Sequence, residues 1–136
     1  MYLSIDFGKK RIGLALGEQF PKGAGFIDGR ASHEEIIGQI IKICTENEVT
    51  EIVMGVPTTD SGTGEMEKII REFGKKLEEK SKLEINYEPE NYTSVEATRI
   101  LIENKVKDIK KNQIDEMAAI LILEQFINER DRNSRN

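Results

Sequence analysis

Asp6 follows the apolar run Tyr2-Leu3-Ser4-Ile5 and precedes Phe7-Gly8-Lys9-Lys10-Arg11-Ile12-Gly13. A carboxylate placed directly after a hydrophobic strand lands at the strand's end, where a sheet meets solvent. Gly8 allows a tight turn, and Arg11-Ile12-Gly13-Leu14-Ala15-Leu16 reads as the returning strand of a hairpin. One acid then stands at the mouth of a sheet beside three cations. Such an acid binds metal, and phosphates bind both the metal and the cations. The same residues also suit plain turn chemistry with a solvated hairpin tip. Two further places in the chain could complete the constellation. Glu88-Pro89-Glu90-Asn91 follows a strand ending near Tyr87, and puts one or two carboxylates at that strand's C-terminal end. Asp115 is followed three and four positions later by Ala118 and Ala119 on the same helical face. Small residues there let the helix press on the sheet and carry Asp115 inward. Glu90 as a loop acid, and Asn112 with Asp115 as capping residues of a first helical turn, are the ordinary alternatives.

The elements that must hold these acids are legible from periodicity. After the hairpin, Gly23-Ala24-Gly25-Phe26-Ile27-Asp28-Gly29 suggests a third short strand. Ser32 and Glu35 have capping-box spacing and open a helix to about Asn47, with Ile36, Ile37, Ile40, Ile41 and Cys44 on its apolar stripe. His33 falls in that first turn, as a surface residue. The continuous apolar run from Glu51 to Pro57 predicts a buried central strand. A polar loop from Thr58 to Gly64 comes next, and then Met66, Ile69, Ile70, Phe73 and Leu77 at helical spacing. Lys82 to Tyr87 alternates as a strand. Thr93 and Glu96 form a second capping box for a helix to about Asn104, and Lys107 to Lys111 is a charged connector. The last helix is expected over 113–130, with a polar frayed tail at 131–136. Met117 to Leu123 is apolar on nearly every side, which marks a deeply buried helix. The expectation is one α/β domain, residues 1–130, with a mixed five-stranded sheet whose first three strands are antiparallel, flanked by helices.

Bulk properties narrow the function classes. The chain has 136 residues, enough for one domain with a real core. No stretch approaches the roughly 20 apolar residues of a spanning helix, and no basic-then-apolar leader is visible, so a cytoplasmic protein without membrane contact is expected. Cys44 is the only cysteine and His33 the only histidine, which excludes an internal disulfide and a Cys/His zinc site. Cys44 reads as a small core residue. A net charge of −5 argues against a generally basic nucleic-acid surface, while leaving room for a local basic patch.

Four blocks in order along the chain carry a family resemblance. Asp6-Phe7-Gly8-Lys9-Lys10-Arg11-Ile12-Gly13 is similar to the opening Asp-x-Gly-x-Lys-Arg-x-Gly motif of the YqgF/RuvX family, the Holliday-junction-resolvase-like pre-16S rRNA nucleases. Gly55-Val56-Pro57 with Gly62 and Gly64 resembles that family's Gly-Leu-Pro segment and glycine-containing loop. Thr93-Ser94-Val95-Glu96-Ala97 resembles the end of its Asp-Glu-Arg-Leu-Thr-Thr stretch, and Ile114 to Leu121 its closing Asp-x-x-Ala-Ala-x-x-Leu helix. The resemblance implies a ribonuclease-H-like fold and a divalent-metal nuclease, with Mg²⁺ or Mn²⁺ held by Asp6, Glu90 and Asp115. Lys10 and Arg11 would then contact nucleic-acid phosphates. Pro89-Glu90-Asn91 stands where the family has Asp-Glu-Arg, so the glutamate is kept while an acid and an arginine are replaced. Asn91 cannot make the charge-assisted phosphate contact of an arginine.

Three functions fit these residues. The first is metal-dependent hydrolysis of structured RNA or branched DNA, in rRNA precursor processing or junction resolution. The second is a binding module that keeps the fold without turnover, which the replaced arginine and the acidic net charge favour. The third is phosphotransfer of the kind performed by actin-like sugar kinases and chaperone ATPases, which also open on an Asp-x-Gly hairpin. That chemistry needs two such domains around a nucleotide, more than 136 residues provide. Either a monomer or a homodimer suits the chain, since only paired symmetric cuts require two copies.

Overall fold

The computed structural model describes residues 1–57, 64–90 and 94–134. Five strands, β1 (Tyr2–Asp6), β2 (Arg11–Gly17), β3 (Lys22–Asp28), β4 (Glu51–Pro57) and β5 (Glu84–Glu90), form one sheet in the order β3-β2-β1-β4-β5. β1 with β2 and β2 with β3 pair antiparallel, while β4 lies parallel to β1 and β5 parallel to β4. Helices α1 (His33–Glu46), α2 (Glu65–Ser81), α3 (Ser94–Glu103) and α4 (Lys111–Ser134) complete the chain. Because β1, β4 and β5 are parallel, their C-terminal ends share one edge of the sheet. The antiparallel β2 begins at that edge.

The two faces of the sheet pack differently. Leu3, Ile5, Ile12, Leu14, Ile52 and Met54 point to one face and join Ile36, Ile40, Phe73 and Leu77 of α1 and α2 in the larger core. The alternate residues face α4, where Ala15 and Val53 meet Ala119, Ile122, Leu123, Phe126 and Ile127. This division follows from the period-two geometry of strands. It also explains why β1 and β4 read as apolar runs, since both faces are covered. Helix α4 runs close to the sheet: the buried Ser4 hydroxyl donates to the Ala119 carbonyl at 2.7 Å.

Several elements differ in extent from the expectation. β5 continues through Glu90, so Glu88 and Glu90 belong to the ladder, opposite Gly55 and Pro57, instead of following it. Pro89 is tolerated because β5 is an edge strand. α4 starts at Lys111 and runs to Ser134, four residues beyond the expected end, so that 131–134 is helical. Its N-terminal turn is capped by Gln113, whose Oε1 accepts from the Lys110 amide at 2.7 Å. Asn112 and Asp115 do not fill that capping role, and Asp115 sits one turn deeper than a dipole-favoured first-turn acid. Ser32 caps α1 as expected, its Oγ accepting from the Glu35 amide at 3.2 Å. His33 is exposed as expected, and its ring also packs edge-on against Phe73, 5.3 Å between centroids. The expected loop over 58–63 and the residues Asn91 and Thr93 lie outside the described residues.

Candidate active site

Asp6 is the last residue of β1 and pairs across the ladder with Gly13 of β2. Strand alternation puts Asp6 on the same face as Ser4, the face covered by α4. Gly13 decides how close α4 can come. A side chain there would collide with the backbone carbonyl of Asp115. The absent Cβ therefore lets the turn of α4 that carries Asp115 rest on β2, beside Asp6. A glycine inside a strand signals such a close backbone approach, but only the fold says what approaches.

Glu90 reaches the same edge from β5. A Cβ placed on Gly55 would lie 3.4 Å from Glu90 Oε2 and would collide with Ile122. Gly55 thus leaves the space over β4 that the Glu90 carboxylate and α4 share. Glu88 stands on the same face, since the two differ by two positions in a strand. It is buried, and Gln125 of α4 donates both to Glu88 Oε2 and to the Pro89 carbonyl, each at 2.7 Å. Glu88 is therefore tied to α4, whereas Glu90 turns toward Gly55 at the edge where Asp6 lies. Parity along the strand cannot separate these two glutamates; the helix opposite does.

The electrostatics agree with the convergence. The Asp6 carboxyl is pushed up to about 8, first by burial and then by the negative charges of Glu90 and Asp115. Burial also raises Glu90. Glu88 is raised by its burial, against the lowering effect of the Gln125 hydrogen bond and with a further upward push from Glu129. Oxygen-only donors of this kind suit a hard divalent cation, which would offset both the burial and the repulsion that raise Asp6. Among the described residues, no three such side chains are drawn closely enough together to ligate one ion. At Asp115 one carboxylate oxygen is engaged by Arg11, whose Nε donates to Oδ2 at 2.7 Å. The two expected phosphate-binding cations thus part company. Lys10 is exposed on the turn between β1 and β2, and Arg11 is turned onto the acid.

A mixed sheet of this order, with its acidic edge backed by α4, defines an α/β protein of the ribonuclease-H-like class. Two solved resolvases share the fold. Thermus thermophilus RuvC, solved in complex with a Holliday junction substrate, matches with TM-score 0.61 at 10% identity, over 96% of each chain. The fowlpox virus Holliday junction resolvase matches with TM-score 0.64 at 12% identity, over 94% of this chain and 98% of that one. Residues 1–129 match RuvX, described as Holliday junction resolvase, and the chain belongs to that family. Among its relatives, a protein from Koribacter versatilis is 34% identical over 133 residues, covering 94% of this chain and 86% of its own. Another from Oenococcus oeni is 33% identical over 137 residues, 96% and 95% of the two chains. Both bear the name "Putative pre-16S rRNA nuclease".

Proposed function

We propose that this protein is a divalent-metal-dependent nuclease that hydrolyses phosphodiester bonds of structured RNA, in the maturation of a ribosomal RNA precursor. The observation that carries the reading is the convergence of Asp6, Glu90 and Asp115, from three separate elements, on one face at one edge of the sheet. The names of the relatives matched over most of their length support a ribosomal RNA substrate, and the RuvX description supports nuclease chemistry on structured nucleic acid. Asp6, Glu90 and Asp115 would hold Mg²⁺ or Mn²⁺ at this edge. Metal bound there supplies Lewis-acid stabilisation of charge at phosphorus and a water nucleophile at neutral pH.

The chain's own residues do the rest. Gly13 and Gly55 seat Asp115 and Glu90 at the edge, and the Ser4 bond to Ala119 holds α4 against β1. Lys10, on the exposed turn, supplies a phosphate contact that positions the strand without reading its sequence. Residues 1–130 form the working unit, and the setting is the cytoplasm, where ribosomal precursors are processed; no described helix is long and apolar enough to cross a membrane.

A second reading, a binding module without turnover, is favoured by one observation: Pro89 and Asn91 replace the acid and arginine that flank Glu90 in the family motif. One experiment separates the two. Wild type and Asp6→Asn are incubated with Mg²⁺ or Mn²⁺ on structured precursor RNA and on a four-way DNA junction. Cleavage of the RNA by wild type alone supports the proposal, and preferential cleavage of the junction would make the protein a resolvase instead. Equal binding by both proteins with no cleavage establishes the binding module.

A further inference from the structure

The ion pair between Arg11 and Asp115 joins residues 104 positions apart, and both side chains are partly buried, 31% and 24% exposed. It is not incidental contact at a hairpin tip. Arg11 opens β2 on the α4 face, two positions before Gly13, and Gly13 is where the backbone of Asp115 rests on the sheet. The strand therefore presents a guanidinium to Asp115 by register, and the helix presents Asp115 by the missing Cβ of Gly13.

We propose that Arg11 is an exchangeable counter-ion: it neutralises Asp115 while the site holds no divalent cation, and it gives up that carboxylate when one binds. The inference rests on the metal-site reading above and deepens it. Its physical basis is a competition for one carboxylate. A guanidinium at 2.7 Å satisfies an oxygen of Asp115, and an arginine stays protonated at any working pH. An ion that takes Asp115 as a ligand must therefore displace the guanidinium. Two consequences follow. Without a cation the guanidinium offsets part of the mutual repulsion of the three acids, and metal affinity is set below what those acids would reach alone. Once displaced, Arg11 stands beside the bound cation at the edge of the sheet, where a phosphate of the substrate would be its next partner.

The test is Mn²⁺ binding in solution, read by loss of the free-ion electron paramagnetic resonance signal, without nucleic acid. It compares wild type, Asp6→Asn, Arg11→Gln, Arg11→Lys, Lys10→Gln and Asp115→Asn with and without Arg11→Gln. Arg11→Gln is expected to bind Mn²⁺ roughly 1.5- to fivefold more tightly than wild type, the range for removing one partly exposed competing ion pair. Lys10→Gln, which removes an equal charge from the same turn, should shift affinity much less. In the Asp115→Asn background, Arg11→Gln should add nothing. Arg11→Lys keeps the charge and guards against a folding defect; it should fall between wild type and Arg11→Gln. Unchanged or weaker binding by Arg11→Gln would overturn the exchange and make Arg11 a fixed support of the site. An equal gain in Lys10→Gln, or in the Asp115→Asn background, would overturn it in favour of general electrostatics. If wild type binds no more tightly than Asp6→Asn, the metal-site reading itself fails, and the exchange fails with it.

Discussion

Gly13→Ala should destabilise the protein, although the same change is neutral or favourable in many strands. An alanine loses less conformational freedom on folding, which by itself favours it over glycine by about 0.5–1 kcal/mol in a regular element. Against that stands a collision between the new Cβ and the carbonyl group of Asp115, both carbon and oxygen, and the adjacent Glu116 amide. These are backbone atoms of a helix, so no rotamer change relieves the contact. α4 is also held from moving away by the Ser4 hydroxyl bond to Ala119, one turn further on, and by Ala119, Ile122 and Leu123 buried against the sheet. Overpacking of this kind costs typically about 1–3 kcal/mol, so the clash outweighs the entropy term and the expected net loss is roughly 1–2 kcal/mol. For a domain of this size that lowers the midpoint of thermal unfolding by about 3–8 °C. Any relief that lifts the N-terminal part of α4 by about 1 Å also misplaces Asp115, and a misplacement of that size can cost roughly 10²-fold in rate. Gly38→Ala is the matched control. Gly38 lies inside α1 with nothing within 4 Å of a built Cβ, so alanine there should stabilise by about 1 kcal/mol. Urea and thermal unfolding of the two variants, with nuclease assays alongside, check the pair. Gly13→Ala melting at or above wild type would refute the close approach of α4 to β2 as the device that seats Asp115.

Asp6 carries a pH signature. Its folded-state carboxyl lies near 8, above its unfolded value, so the folded state holds the extra proton and stability falls as pH rises from about 4 through about 8. In EDTA, wild type should therefore lose stability relative to Asp6→Asn between pH 5 and pH 8, and a constant difference in melting temperature would contradict this. Gln125→Ala removes the donor shared by the buried Glu88 side chain and the Pro89 carbonyl, at a cost of about 1–3 kcal/mol. Combining it with Glu88→Leu should recover part of that loss, and failure to do so in urea titrations would count against the buried link. Cys44 is buried and its thiol is pushed up to about 11 by burial. It should react with thiol reagents at neutral pH only as fast as the protein unfolds, and rapid labelling of native protein would place it at the surface.

Local features of the chain announced most of the elements. An apolar run ending on Asp6 marks a strand with an acid at its mouth, because alternation and burial are properties of the strand itself. Ser32 three residues before Glu35, Ile36 to Cys44 at helical spacing, and the apolar girdle of Met117 to Leu123 likewise depend on neighbours a few positions away. The order of elements and the mixed sheet could be read on that basis, whereas the choice of Asp6, Glu90 and Asp115 as a set came from the family resemblance. Where elements end was less legible. Glu88 to Glu90 stays in the ladder because β4 offers Gly55 to Pro57 as partners, and the start of α4 at Lys111 depends on Gln113 reaching back to Lys110.

The tertiary structure alone decided the wiring of the site. Lys10 and Arg11 are adjacent cations with the same propensities, yet among the described residues only Arg11 pairs with an acid, because α4 crosses β2 at Gly13. Glu88 and Glu90 share a strand face, and Gln125 of α4 donates to Glu88. The two distinctions rest on partners 104 and 37 residues away. Periodicity reports which face a side chain points to; what stands opposite is set only when the sheet order and the path of α4 bring distant segments into contact.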